Sequence, residues 1–201
     1  MTERERTPVN ARIAARVREL RAEQGLTLAA LAARCAVSRS MISLVERGEA
    51  SPTAVVLEKL AAGLGVPLAG LFDEPGGDAE PQPLARRADQ AEWRDPASGY
   101  LRRSVSPPRW RSPLQLVEVE FPAGARVAYE TGAREPPVHQ QVWVLSGGIE
   151  IALGGERHRL AAGDCLAMCL DRPVVFVNRS RRAARYLVAV ASGGLARPGR
   201  T

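Results

Sequence analysis

The sequence predicts a two-part chain, an all-α bundle followed by an all-β unit, and three observations predict it. Apolar residues recur at helical spacing through the first 74 residues. The stretch PGGDAEPQP at 75–83 then has the composition of a linker. Beyond it the apolar period shortens to two, with glycine at the corners between short runs.

Residues 1–9 are polar and expected to be disordered. From Asn10 to Gln24, Ile13, Val17 and Leu20 keep helical spacing, and Gly25 ends the helix. Thr27 caps a second helix with Leu28, Leu31 and Ala32 as its apolar stripe. Ala36-Val37 breaks it, and Ser38 caps a third. There Ile42 and Val45 face inward, while Arg39, Ser40, Ser43 and Leu44 face outward. Ser51-Pro52-Thr53 starts a fourth helix, with Val56, Leu57 and Leu60 as its core face and Gly63 and Gly65 at its end. Pro67 to Phe72 reads as a fifth short helix, closing a bundle over 10–74.

The β region is expected over 84–192, with a flexible tail at 193–201. In LQLVEVEF, Leu114 to Phe121, Val117, Val119 and Phe121 share one face. Pro122-Ala123-Gly124 turns the chain. Val142–Leu145 and Ile149–Leu153 are strands, and Gly154-Gly155 joins the latter to Glu156–Leu160 as a hairpin. Further strands are expected near Cys165–Met168, Val174–Asn178 and Tyr186–Ala191. This regular spacing means a sandwich or barrel. Early strands are also expected in the Arg-, Trp- and Pro-rich stretch from Leu84 to Arg111.

Charge and cysteine content narrow the function. The net charge of +6 is almost all arginine, since Lys59 is the only lysine. It is not concentrated in the helical part: residues 1–74 carry ten Arg/Lys against nine Asp/Glu, and residues 84–192 carry sixteen against eleven. Any nucleic-acid reading of the helices therefore rests on a local surface and gains little from bulk charge. Cys35, Cys165 and Cys169 form no disulfide framework, which suits a reducing compartment. No apolar run has the length of a signal peptide or membrane span, so a cytoplasmic location is expected.

A short helix that buries one side and offers Arg and Ser on the other has the form of a recognition helix for the DNA major groove. Arg can pair with the O6/N7 edge of guanine, and Ser can bond to several base edges or phosphates. The residues carrying a wider likeness are Leu20-Arg21, Gly25-Leu26-Thr27, Leu31-Ala32, Val37-Ser38, Ser40, Ile42-Ser43, Glu46-Arg47-Gly48, Pro52 and Leu60-Ala61. In this order they resemble the XRE (phage-repressor-like) helix-turn-helix family over the first third of the chain. The resemblance implies DNA contacts from Thr27, Leu28, Ser38, Arg39, Ser40, Ser43, Leu44 and Arg47, and a partly buried Arg21–Glu46 pair. Ala36 departs from it, because the family usually has glycine at that turn. An alanine there costs about 1 kcal/mol.

From Leu114 to Val190 the order of turns is similar to the cupin family, a small jelly-roll barrel. The likeness rests on Gly124, Gln140, Gly147, Leu160, Gly163-Asp164 and Asn178. Cupin enzymes hold a divalent metal with His and Glu ligands, and this sequence departs from that pattern. The His-x-His slot falls within Ala133–Pro136, which contains no His; the Glu slot is Gln140 and the last His slot is Val174. A carboxamide and a valine do not make a metal site, so no metal or other cofactor is expected. His139 next to Gln140 does not restore one, because adjacent strand residues point to opposite faces. No nucleophile–base constellation is present either. What remains is an interior able to take a small-molecule effector. Its candidate lining is Tyr129, Gln140, Val142, Met168, Val174 and Phe176, with Arg126 as an anchor for an anionic ligand.

The two resemblances together imply a non-enzymatic transcriptional regulator. An N-terminal helix-turn-helix would bind a double-stranded DNA operator as a homodimer, and a metal-free cupin barrel would bind the effector. Two rival readings stay open: a metal-dependent cupin isomerase or dioxygenase with an attached helical domain, and an antitoxin-like module whose barrel only dimerises.

Overall fold

A computed structural model describes residues 9–73, 80–110, 112–132 and 137–192. Residues 1–8, most of the linker and the tail from 193 lie outside the described residues. The chain divides into two compact units, 1–110 and 111–201.

In the first unit the helical spacing becomes four α-helices: α1 (Val9–Glu23), α2 (Leu28–Cys35), α3 (Arg39–Glu46) and α4 (Ala54–Gly63). Ile13, Val17, Leu20, Leu31, Ile42, Val45, Leu57 and Leu60 are all buried and form their common core. Val56 is only half-buried, and Ala54 and Ala61 take its expected place against the other helices. α2 and α4 approach closely because Gly63 has no side chain. A Cβ there would lie 2.7 Å from the Cβ of Cys35. The expected fifth helix is instead a 3₁₀ segment, Leu68–Phe72. Five residues with Gly70 among them are too few for an α-helix to recover its nucleation cost.

Residues 84–110, expected with the β domain, fall within the helical unit. They form a hairpin of β1 (Glu92–Arg94) and β2 (Leu101–Ser104), paired antiparallel with Trp93 opposite Arg102. Aromatic packing supplies the reason. Trp93 sits edge-on to both Phe72 and Tyr100, at 5.9 and 5.8 Å between ring centres. Arg102 lies over the Phe72 ring at 5.1 Å. Buried Asp95 then reaches α4, where one carboxylate oxygen accepts the Ala54 amide at 2.9 Å.

The second unit contributes four strands to each of two facing sheets. One has the order β3 (Leu114–Phe121), β10 (Ala184–Ser192), β5 (Val138–Ser146), β8 (Cys165–Cys169). The other has the order β4 (Arg126–Tyr129), β9 (Val174–Val177), β6 (Gly148–Leu153), β7 (Glu156–Ala161). All pairings within them are antiparallel. The alternation seen in LQLVEVEF holds, with Val117, Val119 and Phe121 buried. Phe176 of one sheet stacks on Tyr186 of the other at 6.1 Å and 10° between planes. The expected closed barrel is corrected here: among the described residues the ladders of this unit form two separate sheets. Asn178, fully buried, donates to the carbonyls of Phe121 and Arg182 and so fixes the corner between β9 and β10.

Candidate nucleic-acid interface

The site is built from the break between α2 and α3. Thr27 caps α2, its hydroxyl accepting from the Ala30 amide at 3.1 Å. This leaves the first-turn amides of Leu28 and Ala29 at an exposed helix start, where the dipole favours an anion. Ala36 ends α2 in the left-handed region, at φ 52° and ψ 38°. Ser38 caps α3 by accepting from the Met41 amide at 3.2 Å. Between them the chain bends by 113°, within the range of helix-turn-helix pairs.

The two sides of α3 differ as its spacing predicts. Ile42 and Val45 are fully buried, and Glu46 is buried with them. Glu46 takes a two-pronged hydrogen bond from Arg21, at 2.6 Å from Nε and 2.8 Å from Nη2, and Arg21 also donates to the Leu26 carbonyl at 2.8 Å. Arg18 donates to the Glu46 carbonyl. α3 is thus tied to α1 at its C-terminal end, and Glu46 in turn raises the pKa of Arg21. On the other side Arg39 and Ser40 are exposed, and Ser43 and Leu44 are half-buried.

The candidate DNA contacts are not equally available. Arg39 has no hydrogen-bond or ion-pair partner among the described residues, so its guanidinium is free to meet a ligand. Arg47 is already engaged: it donates to both carboxylate oxygens of Glu49 at 2.8 Å and to the Ser43 hydroxyl. Glu49 is the residue that sequence reasoning missed. It lies two positions past Arg47, and that spacing was the available signal. Ser38 and Ser40 share a hydroxyl–hydroxyl hydrogen bond of 3.1 Å at the start of the helix. Leu28 is half-buried beside the exposed Thr27.

In the β unit, Gln140, Val142, Met168, Val174 and Phe176 are buried and face the sandwich interior. Tyr129 is half-buried and edge-on to Phe176 at 6.1 Å. Arg126 is not among them. It is exposed while its neighbour Val127 is buried, so strand alternation directs it to the outer face and it cannot anchor an anion inside. Sequence reasoning also missed Gln115. It shares a rung with Gln140, each opposite Val190 of β10, and its Oε1 is buried with no hydrogen-bond partner. Gln140, nine-tenths buried, has no partner among the described residues.

The donor set does not suit a metal. Gln140 stands next to Met168, His139 faces outward opposite Cys169, and Val174 carries no donor atom. Among the described residues no group of three or more His, Cys, Asp or Glu could hold an ion. Ala133–Pro136, the His-x-His slot, lies outside them. Among the described residues no single helix is long and apolar enough to cross a membrane.

Residues 17–71 match the family model HTH_3, helix-turn-helix. The chain is 27% identical over 175 residues to the HTH-type transcriptional regulator PuuR of Escherichia coli, covering 87% of this chain and 91% of that one. It is 24% identical over 170 residues to the HTH-type transcriptional regulator SutR of the same organism, covering 85% and 89%. An HTH_3 family transcriptional regulator from Vibrio cholerae shares the fold with a TM-score of 0.74 at 22% identity, over 92% of this chain and 98% of that one. Residues 17–71 of this chain are therefore a helix-turn-helix domain matching the HTH_3 family, and a β-sheet unit follows it.

Proposed function

We propose that this chain is a DNA-binding transcriptional regulator that reads an operator with α3 and senses an uncharged small molecule in its β unit. The observation that carries the DNA reading is the division of α3. Ile42, Val45 and Glu46 are buried, and the exposed side offers Arg39 without a partner next to Ser40 and Ser43. Arg39 supplies the direct base contact, and the α2 amides with Ser38 hold phosphates. Thr27, Leu28 and Leu44 frame this surface. Arg47 positions Ser43 while Glu49 neutralises its charge. The regulators PuuR and SutR support the same reading by their likeness over most of both chains. A homodimer placing two α3 helices one turn of duplex apart follows from the way helix-turn-helix proteins read palindromes.

The effector reading is supported by the polar atoms inside the sandwich. Gln115 Oε1 is buried with no hydrogen-bond partner, and Gln140 on the same rung makes none among the described residues, in an interior lined by Val142, Met168, Val174, Phe176 and Tyr129. A buried amide without a partner costs about 1–3 kcal/mol, which a ligand with hydroxyl or amide groups relieves. The buried side chains lining that interior, Gln140, Val142, Met168, Val174 and Phe176, are uncharged, which supports a neutral ligand. Such a ligand acts on DNA affinity only as far as it binds two dispositions of the dimer unequally. With Gln140 and Val174 in the ligand slots, no metal chemistry enters.

The test is to capture and sequence the genomic fragments the protein retains, and then to footprint one. Protection of two half-sites with centres about 10 base pairs apart supports the reading. Retention of fragments with no shared sequence would overturn it. A thermal-shift screen of neutral metabolites tests the effector, since a ligand at one hundred times its Kd stabilises by about 2.7 kcal/mol. The gain should shrink in Gln140→Ala.

A further inference from the structure

The positive charge of the β unit gathers on the outer face of the sheet β4–β9–β6–β7. Strand registers put Arg126, Val177, Glu150 and Arg159 on one rung and Ala128, Val175, Ala152 and Arg157 on the next. Arginines therefore stand on both edge strands, with short side chains between them. Glu150 is buried at the centre and is shared by Arg159 at 3.4 Å and Arg179 at 3.3 Å. Those two arginines stay 88% and 62% exposed, so one carboxylate holds them loosely and does not cover them. Arg126 and Arg157 are exposed and make no hydrogen bond or close ion pair among the described residues, Arg157 acting on Glu150 only at longer range. The face carries four arginines against one carboxylate, whereas the DNA-reading segment is close to neutral.

We infer that this face binds the phosphate backbone of duplex DNA outside the stretch read by α3, an inference that rests on the DNA-binding reading above. Three strand spacings separate the two arginine edges by about 14 Å, comparable with the roughly 12 Å of a major groove. The two edges can thus engage phosphates on either side of one groove. Backbone contact needs no base recognition, only displaced counterions. Once α3 holds the operator, flanking phosphates are present at an effective concentration of order millimolar, enough for weak contacts to add. The face would then supply affinity and leave sequence choice to Arg39.

The test compares the wild-type chain with R126Q/R157Q and R126K/R157K on a random-sequence duplex of about 60 base pairs. These changes keep Arg159 and Arg179 on Glu150, and circular dichroism checks that the chains are folded. The slope of log affinity against log salt should become shallower by about 1.8 per protomer bound in the glutamine variant, about 3.6 for the dimer at about 0.9 per lost contact, and return in the lysine variant. An unchanged slope overturns the inference. So does a glutamine variant that only self-associates, which would assign the arginines to guarding the exposed edges of β4 and β7. Arg39→Ala on the captured operator separates the two failures. If it weakens operator binding while the random-duplex slope is unaltered, only this inference falls; if the wild type binds neither duplex, both fall.

Discussion

Asp95→Ala is expected to destabilise the helical unit strongly. Asp95 is 2% exposed, and its carboxylate accepts three hydrogen bonds: from the Ala54 amide at 2.9 Å, the Ser98 amide at 2.9 Å and the Ser98 hydroxyl at 2.5 Å. Ala54, 1% exposed, is the first residue of α4, so its amide has no partner within the helix. Alanine at 95 leaves that amide buried and unpaired and also removes a negative charge from the helix start. Hydrogen bonds to an ionised acceptor contribute about 1.5–3 kcal/mol each, and the carboxylate's own desolvation offsets part of the sum, so a net loss of about 3 kcal/mol is expected. A unit of this size loses roughly 4–8 °C per kcal/mol, which lowers its melting midpoint by about 12 °C or more. Asp95→Asn keeps one acceptor oxygen and should lose about half as much. The helical circular dichroism signal reports the transition, because α1–α4 all lie in this unit. A loss under about 0.5 kcal/mol for Asp95→Ala would refute the reasoning and detach the hairpin from the helical unit.

Three further predictions follow from the same geometry. Ala36→Gly should stabilise the chain by about 1 kcal/mol in urea unfolding, because Ala36 sits at φ 52°; a destabilised variant would contradict this. Glu46→Ala should cost about 2–3 kcal/mol by leaving Arg21 part-buried with only the Leu26 carbonyl, while Glu49→Ala on the exposed side costs under about 0.5; equal losses would count against the pairing. Burial raises the Asp73 carboxyl above its ordinary range, against the pull of Arg16. The folded chain therefore binds more protons than the unfolded one in the window just above about pH 4, and stability falls as pH rises through it. Asp73→Asn should flatten that part of a stability–pH curve, and parallel curves would sink the assignment.

Where side-chain type and burial agreed, the fold was legible in the chain. Leu114–Phe121 and the core positions of α1 and α3 follow from apolar period alone, because each buries an unmixed stripe. The strand Arg126–Tyr129 escaped notice because it is four residues long and Ala128 gives no polar contrast to Val127 and Tyr129. Strands were expected between Leu84 and Arg111, but their bounds were not legible, for a different reason. Arg102 and Arg103 are buried, and the Phe72 ring beneath Arg102 comes from thirty residues earlier in the chain. The recognition surface was visible as an Arg/Ser face, but its electrostatics were not: Glu49 takes up Arg47, so Arg39 is left as the available cation on α3. Within the sandwich, alternation located Gln140 and should equally have turned Arg126 outward. Gln115 went unseen because its role depends on its register against Val190.

The measurement closest to the central claim is an operator titration of Arg39→Ala beside the wild type, with a random duplex as reference. The account predicts a loss of about 1–3 kcal/mol at the operator, with relaxed preference at one base pair and random-duplex binding almost unchanged. Equal operator affinity in the two proteins would contradict it, and α3 would then not be the element that reads DNA.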